Sequence, residues 1–337
     1  VQTRRKMEDE EGLARINGLW AKNLKSMKKA GISSQDIAKV ISLTQVEPVL
    51  TAHPTEAKKQ TVLEHHRELY LLLVKLENQS FTKMEREEIR RDIRLALERL
   101  WLSGEVNIQK PDVEMELNDI LYYFKQIFPE VILRLDRRLM NAWADAGLDA
   151  ELMLTEECFP KISFGSWIGG DRDGHPLVSA QVTQRTLYLL RQTSLQIIKN
   201  ALLGLSKKLG FFFYKEQLEP AFKTRIAEML RSTTSDCFSE VGRYESEAFR
   251  QFVLLMVSNL PLEKEEFIDD TVVINPKMSY ASSDELIEDL KVLQMALTSI
   301  NASTIARTDV REVIRIVQSF KFHLARLDIR QNSHFHD

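Results

Sequence analysis

Apolar positions along most of the chain recur with the 3.6-residue period of an amphipathic helix. The clearest run is Ile89, Ile93, Ala96, Leu97 and Leu100. It is opened by a capping box, Thr82-Lys-Met-Glu85, and stopped by Gly104. A second helix is expected to open after Pro54-Thr55 and pass Val62, Leu69, Leu73 and Leu76. A third begins near Pro111 and bends or breaks before Pro129, where the ring removes a donor. Segments 180–209, 221–231, 244–259, 284–299 and 308–319 carry the same period.

Three short segments depart from it. Val46 to Thr51 reads as a strand leading into Ala-His-Pro-Thr. Lys161 to Ile168 reads as a strand leading into Gly-Gly-Asp-Arg-Asp-Gly. Phe322 to Arg330 alternates like a third strand. The first two end in polar residues and lead into helices, the arrangement of an α/β unit with its site at the strand C-terminal ends. The fold class is therefore mainly α with a few short parallel strands.

Composition sharpens this picture. Only 12 glycines and 9 prolines occur in 337 residues, which favours long helices. A formal charge of −3 argues against a nucleic-acid binder. Cys158 and Cys237 lie far apart, so neither a disulfide scaffold nor a zinc site is expected. The longest aliphatic stretch, around Leu71 to Val74, is too short to span a membrane. The charged start is no signal peptide and lacks an initiator Met. A cytoplasmic chain, cut from something longer, is the expectation.

Three places could carry chemistry. His53 lies between a strand end and a helix N-terminus, where free N–H groups favour an anion and a neutral imidazole can carry a proton. The bland alternative is a histidine that only caps or packs. Four of the 12 glycines fall in Gly165 to Gly174, so that backbone approaches something closely or needs positive φ. Arg172 there could clamp an anion, or the loop could be a tight turn held by Arg–Asp pairing. Asp-x-Asp-Gly lacks the further ligands of a calcium loop. Trp167 could be core or the dry wall of a pocket. With period 2, Arg326, Asp328 and Arg330 share one face, either solvated or lining a polar site. Arg330 at its end could grip phosphate or carboxylate with two prongs. His65-His66 are adjacent in a helix and cannot present one face to a metal. His334, His336 and Asp337 fall at the chain end.

At these places the sequence resembles the phosphoenolpyruvate carboxylase family. The matching stretches are Leu-Thr-Ala-His-Pro-Thr-Glu (50–56), Gly-Ser-Trp-Ile-Gly-Gly-Asp-Arg-Asp-Gly (165–174) and Leu-Asp-Ile-Arg-Gln (327–331). The resemblance spans about residues 45 to 337. It implies the N-terminal part of a helix-rich (β/α)8 TIM-like barrel, with barrel strands at about 45–56, 161–170 and 322–331, the remainder a helical shell. It implies conversion of phosphoenolpyruvate and bicarbonate to oxaloacetate and phosphate with Mg²⁺ or Mn²⁺, feeding the tricarboxylic acid cycle, in a homotetramer. By motif position His53 matches a histidine of the carboxylation half-reaction. Trp167 matches a wall of the apolar CO₂ pocket, and Arg330 matches an arginine that binds the substrate's phosphate.

Two positions depart from the family pattern. Lys59-Gln60 replace a common Arg-Arg pair, which puts sugar-phosphate activation in doubt, and His175 replaces a common Asn. The family's mobile loop, metal ligands, second histidine and inhibitor site would lie beyond Asp337, so this chain alone is expected to be inactive. Two other readings compete: phosphotransfer through a phosphohistidine at His53, and a non-catalytic helical scaffold derived from the same fold.

Overall fold

The computed structural model describes residues 19–51, 60–78, 80–103, 112–172, 177–213, 218–231, 241–262 and 279–331. Helices dominate. In chain order they are α1 (Trp20–Lys29), α2 (Ser34–Leu43), α3 (Gln60–Leu76), α4 (Lys83–Leu102), α5 (Val113–Gln126) and α6 (Phe128–Asp145). After them come α7 (Ala180–Lys208), α8 (Pro220–Arg231), α9 (Ala248–Ser258), α10 (Ser283–Ser299) and α11 (Arg311–Phe320). A helical turn at Ser303–Ile305 and a π-helical stretch at Ala306–Val310 lead into α11.

Local chemistry accounts for the helix ends. The capping box at Thr82 forms in both directions. Glu85 N–H donates to Thr82 Oγ1 at 3.3 Å, and Thr82 N–H donates to Glu85 Oε2 at 2.8 Å. Ser33, Asp112, Ser179 and Ser282 each accept a first-turn N–H in the same way. The break foreseen before Pro129 falls at Ile127, and Pro129 occupies the first turn of α6, where a missing donor costs nothing.

The strands are short and all parallel. β1 (Gln45–Val46) pairs with β3 (Lys161–Ile162), and β2 (Val49–Leu50) pairs with β4 (Gly165–Ser166). β4 pairs in turn with β5 (Arg326–Leu327), in register Gly165 to Arg326 and Ser166 to Leu327. Pro48 interrupts the first strand, yet its carbonyl still accepts Gly165 N–H at 3.0 Å. The sheet order is therefore β2-β4-β5.

The third strand corrects the expectation in one respect. It does not begin at Phe322. Residues 321–325 form a tight turn in which Lys321 (φ 47°) and Leu324 (φ 67°) take positive φ. The Ser194 hydroxyl of α7 donates to the Lys321 carbonyl at 2.5 Å and fixes that turn. Alternation of apolar and polar residues cannot distinguish such a turn from a strand.

One core lies between the sheet and helices α5, α6, α7 and α11, and it is aromatic at its centre. Phe164, between β3 and β4, stacks on Phe128 (4.8 Å) and on Phe320 (5.4 Å) and meets Phe124 edge-on (5.3 Å). A buried ion pair pins the sheet's entry edge. Arg315 of α11 donates to both oxygens of Asp136 on α6, at 2.6 and 3.1 Å, and to the Pro160 carbonyl just before β3 at 2.9 Å. A second and larger core joins the C-terminal half of α7 to α8, α9, α10 and α11. A third packs α1 and α2 on the end of α6.

Candidate active site

The C-terminal ends of β2, β4 and β5 converge on one corner. The backbone ladder continues past the named strands to build it. Trp167 N–H donates to the Leu50 carbonyl at 3.0 Å, and Asp328 N–H donates to the Ser166 carbonyl at 2.9 Å. Farther along, Arg330 N–H donates to the Gly170 carbonyl at 3.1 Å and Arg172 N–H to the Arg330 carbonyl at 2.9 Å. The chain turns tightly between these bonds, with the N–H groups of Gly170 and Asp171 both directed to the Trp167 carbonyl.

The glycine run has a packing reason. Gly169 takes φ +78°, and a Cβ there would stand 2.1 Å from Thr186 Oγ1 on α7. At Gly170 a Cβ would stand 2.3 Å from the Asp328 carbonyl oxygen. The close approach inferred from sequence is thus to neighbouring segments of the same chain. Thr183 ties the turn to α7 by donating to the Gly169 carbonyl at 2.8 Å.

Around that turn the side chains form a compact charged group. Trp167 Nε1 donates to Asp328 Oδ2 at 3.0 Å. The Arg330 guanidinium lies over the Trp167 ring, 4.3 Å from its centroid, within the range of a cation–π contact. Arg330 Nη1 is 3.7 Å from Asp171 Oδ2, beyond hydrogen-bond reach. Asp171 is thus approached by Arg330 from the segment after β5, while Asp173, the other aspartate of the glycine loop, lies outside the described residues. Among the described residues the Arg330 guanidinium donates no hydrogen bond, so its edge is available to an anion. Arg172 Nη2 donates to Thr183 Oγ1 at 3.2 Å, while its Nε is buried with no partner among the described residues. Arg326, which opens β5, pairs with Glu47 at 3.1 Å near the sheet's other end.

His53, Lys59, His175, His334, His336 and Asp337 lie outside the described residues. Gln60 opens α3, and His65 and His66 lie within that helix, with His65 Nδ1 3.8 Å from Glu68. Trp167, Arg172 and Arg330 thus lie on neighbouring backbone segments joined by the bonds above. Sequence reasoning missed the Trp167–Asp328 bond and the Asp171–Arg330 pairing. Alternation had put Asp328 and Arg330 on one face, but only the parallel register sets Asp328 beside Trp167.

A cleft of about 620 Å³ opens at the opposite, N-terminal ends of the strands, lined in part by Gln45, Lys161, Glu157, Lys291 and Lys321. Its charges partly satisfy one another, Lys291 with Glu157 at 3.6 Å. It lies away from the glycine turn and from the strand ends where α/β proteins place their chemistry.

The described residues thus form a mainly helical fold around a few short parallel strands, with a glycine turn and an arginine stacked on tryptophan at the strands' C-terminal ends. A family profile described as phosphoenolpyruvate carboxylase matches residues 1–337. A phosphoenolpyruvate carboxylase of Methylorubrum extorquens is 33% identical over 99% of this chain, which covers 35% of that protein. Proteins of the same name from Rhodopseudomonas palustris (31% identical; 97% of this chain, 34% of the relative) and Roseiflexus castenholzii (30%; 91% and 33%) are similar to it as well. The chain belongs to the phosphoenolpyruvate carboxylase family. It spans about a third of the length of these relatives.

Proposed function

We propose that the chain is part of an enzyme that joins phosphoenolpyruvate and bicarbonate into oxaloacetate and phosphate. The carrying observation is Arg330, stacked on Trp167 with its edge donors unengaged among the described residues, in a chain of this family. A planar guanidinium so placed can meet two oxygens of a phosphate at once. Bicarbonate attacks phosphorus as the enol oxygen leaves, giving carboxyphosphate and the enolate of pyruvate. Carboxyphosphate releases CO₂ and phosphate, and the enolate carbon bonds to CO₂. The Trp167 indole supplies an apolar wall that keeps water from the enolate. His53 positions or deprotonates the carboxyl intermediate, and Arg172 adds positive charge beside the loop.

The same reading extends to the whole polypeptide. It includes an eight-stranded barrel completed by further strands, a homotetramer, a cytoplasmic place and a role in supplying the tricarboxylic acid cycle. No helix among the described residues is long and apolar enough to cross a membrane. Mg²⁺ or Mn²⁺ would supply charge neutralisation at the phosphoryl group. The described residues do not fit such an ion, since no group of three His, Cys, Asp or Glu among them could hold one. Turnover therefore belongs to the complete polypeptide and not to these 337 residues alone.

The test is kinetic, on the complete gene product. Arg330→Gln is expected to lower kcat/KM for phosphoenolpyruvate by about 100-fold, as loss of a charge-assisted phosphate contact should. His53→Asn is expected to go on releasing phosphate while oxaloacetate formation fails. A parent protein that makes no oxaloacetate, or an Arg330→Gln variant as active as the parent, would defeat the reading.

A further inference from the structure

Asp328 has no part in the chemistry proposed above, yet it holds the one polar atom of Trp167. We infer that Asp328 is a positioning residue: it fixes the indole plane, and the indole sets the height and tilt at which Arg330 meets its anion. The inference rests on the reading of Arg330 as the phosphate ligand.

Four observations carry it. The bond from Trp167 Nε1 to Asp328 Oδ2, at 3.0 Å, joins residues 161 positions apart. The second side-chain torsion of tryptophan is broad, so one bond at the ring edge selects its orientation. Asp328 is itself a rigid mount. Its N–H donates to the Ser166 carbonyl, and its carbonyl lies so close to Gly170 that a methyl group there would collide. Arg330 rests on the indole at 4.3 Å, and a carboxylate accepting the indole N–H enriches the ring and strengthens its hold on a cation. Asp171, in the glycine turn after β4, steadies one corner of the guanidinium at 3.7 Å. One face and one corner are thereby used, and the remaining edge is left to a ligand.

The complete gene product is the material for the test, with phosphoenolpyruvate as substrate. Asp328→Ala is expected to raise KM about tenfold with kcat changed less than about threefold, the mark of lost ground-state binding. Asp328→Asn keeps an oxygen that accepts the indole N–H and should recover most of that loss. Combined with Trp167→Phe, Asp328→Ala should add nothing, because its action passes through the indole. An Asn variant as poor as Ala, full additivity with Trp167→Phe, or an unchanged KM would each overturn the inference. If the parent turns over no phosphoenolpyruvate, the carboxylase reading fails separately. Inorganic phosphate then replaces the substrate, followed by the difference in fluorescence between proteins with and without Trp167. A Kd weakened about tenfold by Ala and not by Asn supports the positioning role, and equal Kd values overturn it.

Discussion

Gly170 has no room for a side chain, because the Asp328 carbonyl oxygen occupies the place of a Cβ at 2.3 Å. Replacing Gly170 by Ala must push β5 and β4 apart or distort the turn. Overpacking of this kind costs about 1–3 kcal/mol. The urea midpoint of G170A is expected to fall accordingly, and an unchanged midpoint would show that the strands separate freely. At the same scale, Tyr280 is a buried phenol that donates to Asp289 Oδ2 at 2.7 Å. Burial, then the Asp289 charge and this bond, push its ionisation well above the usual tyrosine range. The folded state therefore keeps a proton that the unfolded chain loses near about pH 10. This contribution to stability is complete below that pH and drains away as pH rises above it. Tyr280 should ionise only as the protein unfolds, seen as delayed phenolate absorbance. Tyr280→Phe should abolish that delayed fraction, and titration of all tyrosines before unfolding would contradict the assignment.

At the scale of elements, helices were the most legible part of the sequence. The capping box, the break before Pro129 and the five helical segments after residue 180 all have counterparts in α4, at the α5–α6 junction, and in α7 to α11. Each signal is local: a side chain within four residues, a missing donor, a repeating apolar face. The strands were legible as segments and not as boundaries, because pairing partners lie more than 100 residues away. The turn at 321–325 shows why. It has positive φ at Lys321 and Leu324, and it is held by a bond from Ser194 of α7, 127 positions away, that no nearby residue announces. The same holds for the Arg315–Asp136 pair, whose partners are 179 positions apart. At the candidate site, the crowded glycines pointed to Trp167 and Arg172, and alternation pointed to Arg330. The roles of Asp171 and Asp328 depended on register, which is a property of paired strands.

Over the whole molecule, α7 is the connecting member. Its first turns carry Thr183 and Thr186 against the glycine turn, and its last turns carry Leu202 and Leu205 into the largest core. Its 29 residues place those ends roughly 40 Å apart. A helix that is buried at both ends cannot release one without straining the other. The site corner and the distant core should therefore unfold together. Fluorescence assigned to Trp167, by subtraction of Trp167→Phe, should vanish at the same denaturant concentration as far-UV ellipticity. A separate, earlier loss of the Trp167 signal would show that the corner is an independent unit.

The order of the strands also sets a timetable for synthesis. β2 ends at Leu50, while β5 begins only at Arg326. Ribosomes add about 5–20 residues per second, so β2 emerges roughly 15–55 s before its sheet can be finished. Helices such as α4 and α7 can form during that interval from local contacts alone. The indole of Trp167 cannot find Asp328, nor Arg330 its resting place, until the last of this chain has emerged. A nascent chain stalled before residue 326 should therefore be largely helical, with Val49, Leu50 and the rest of the half-built sheet exposed to chaperones.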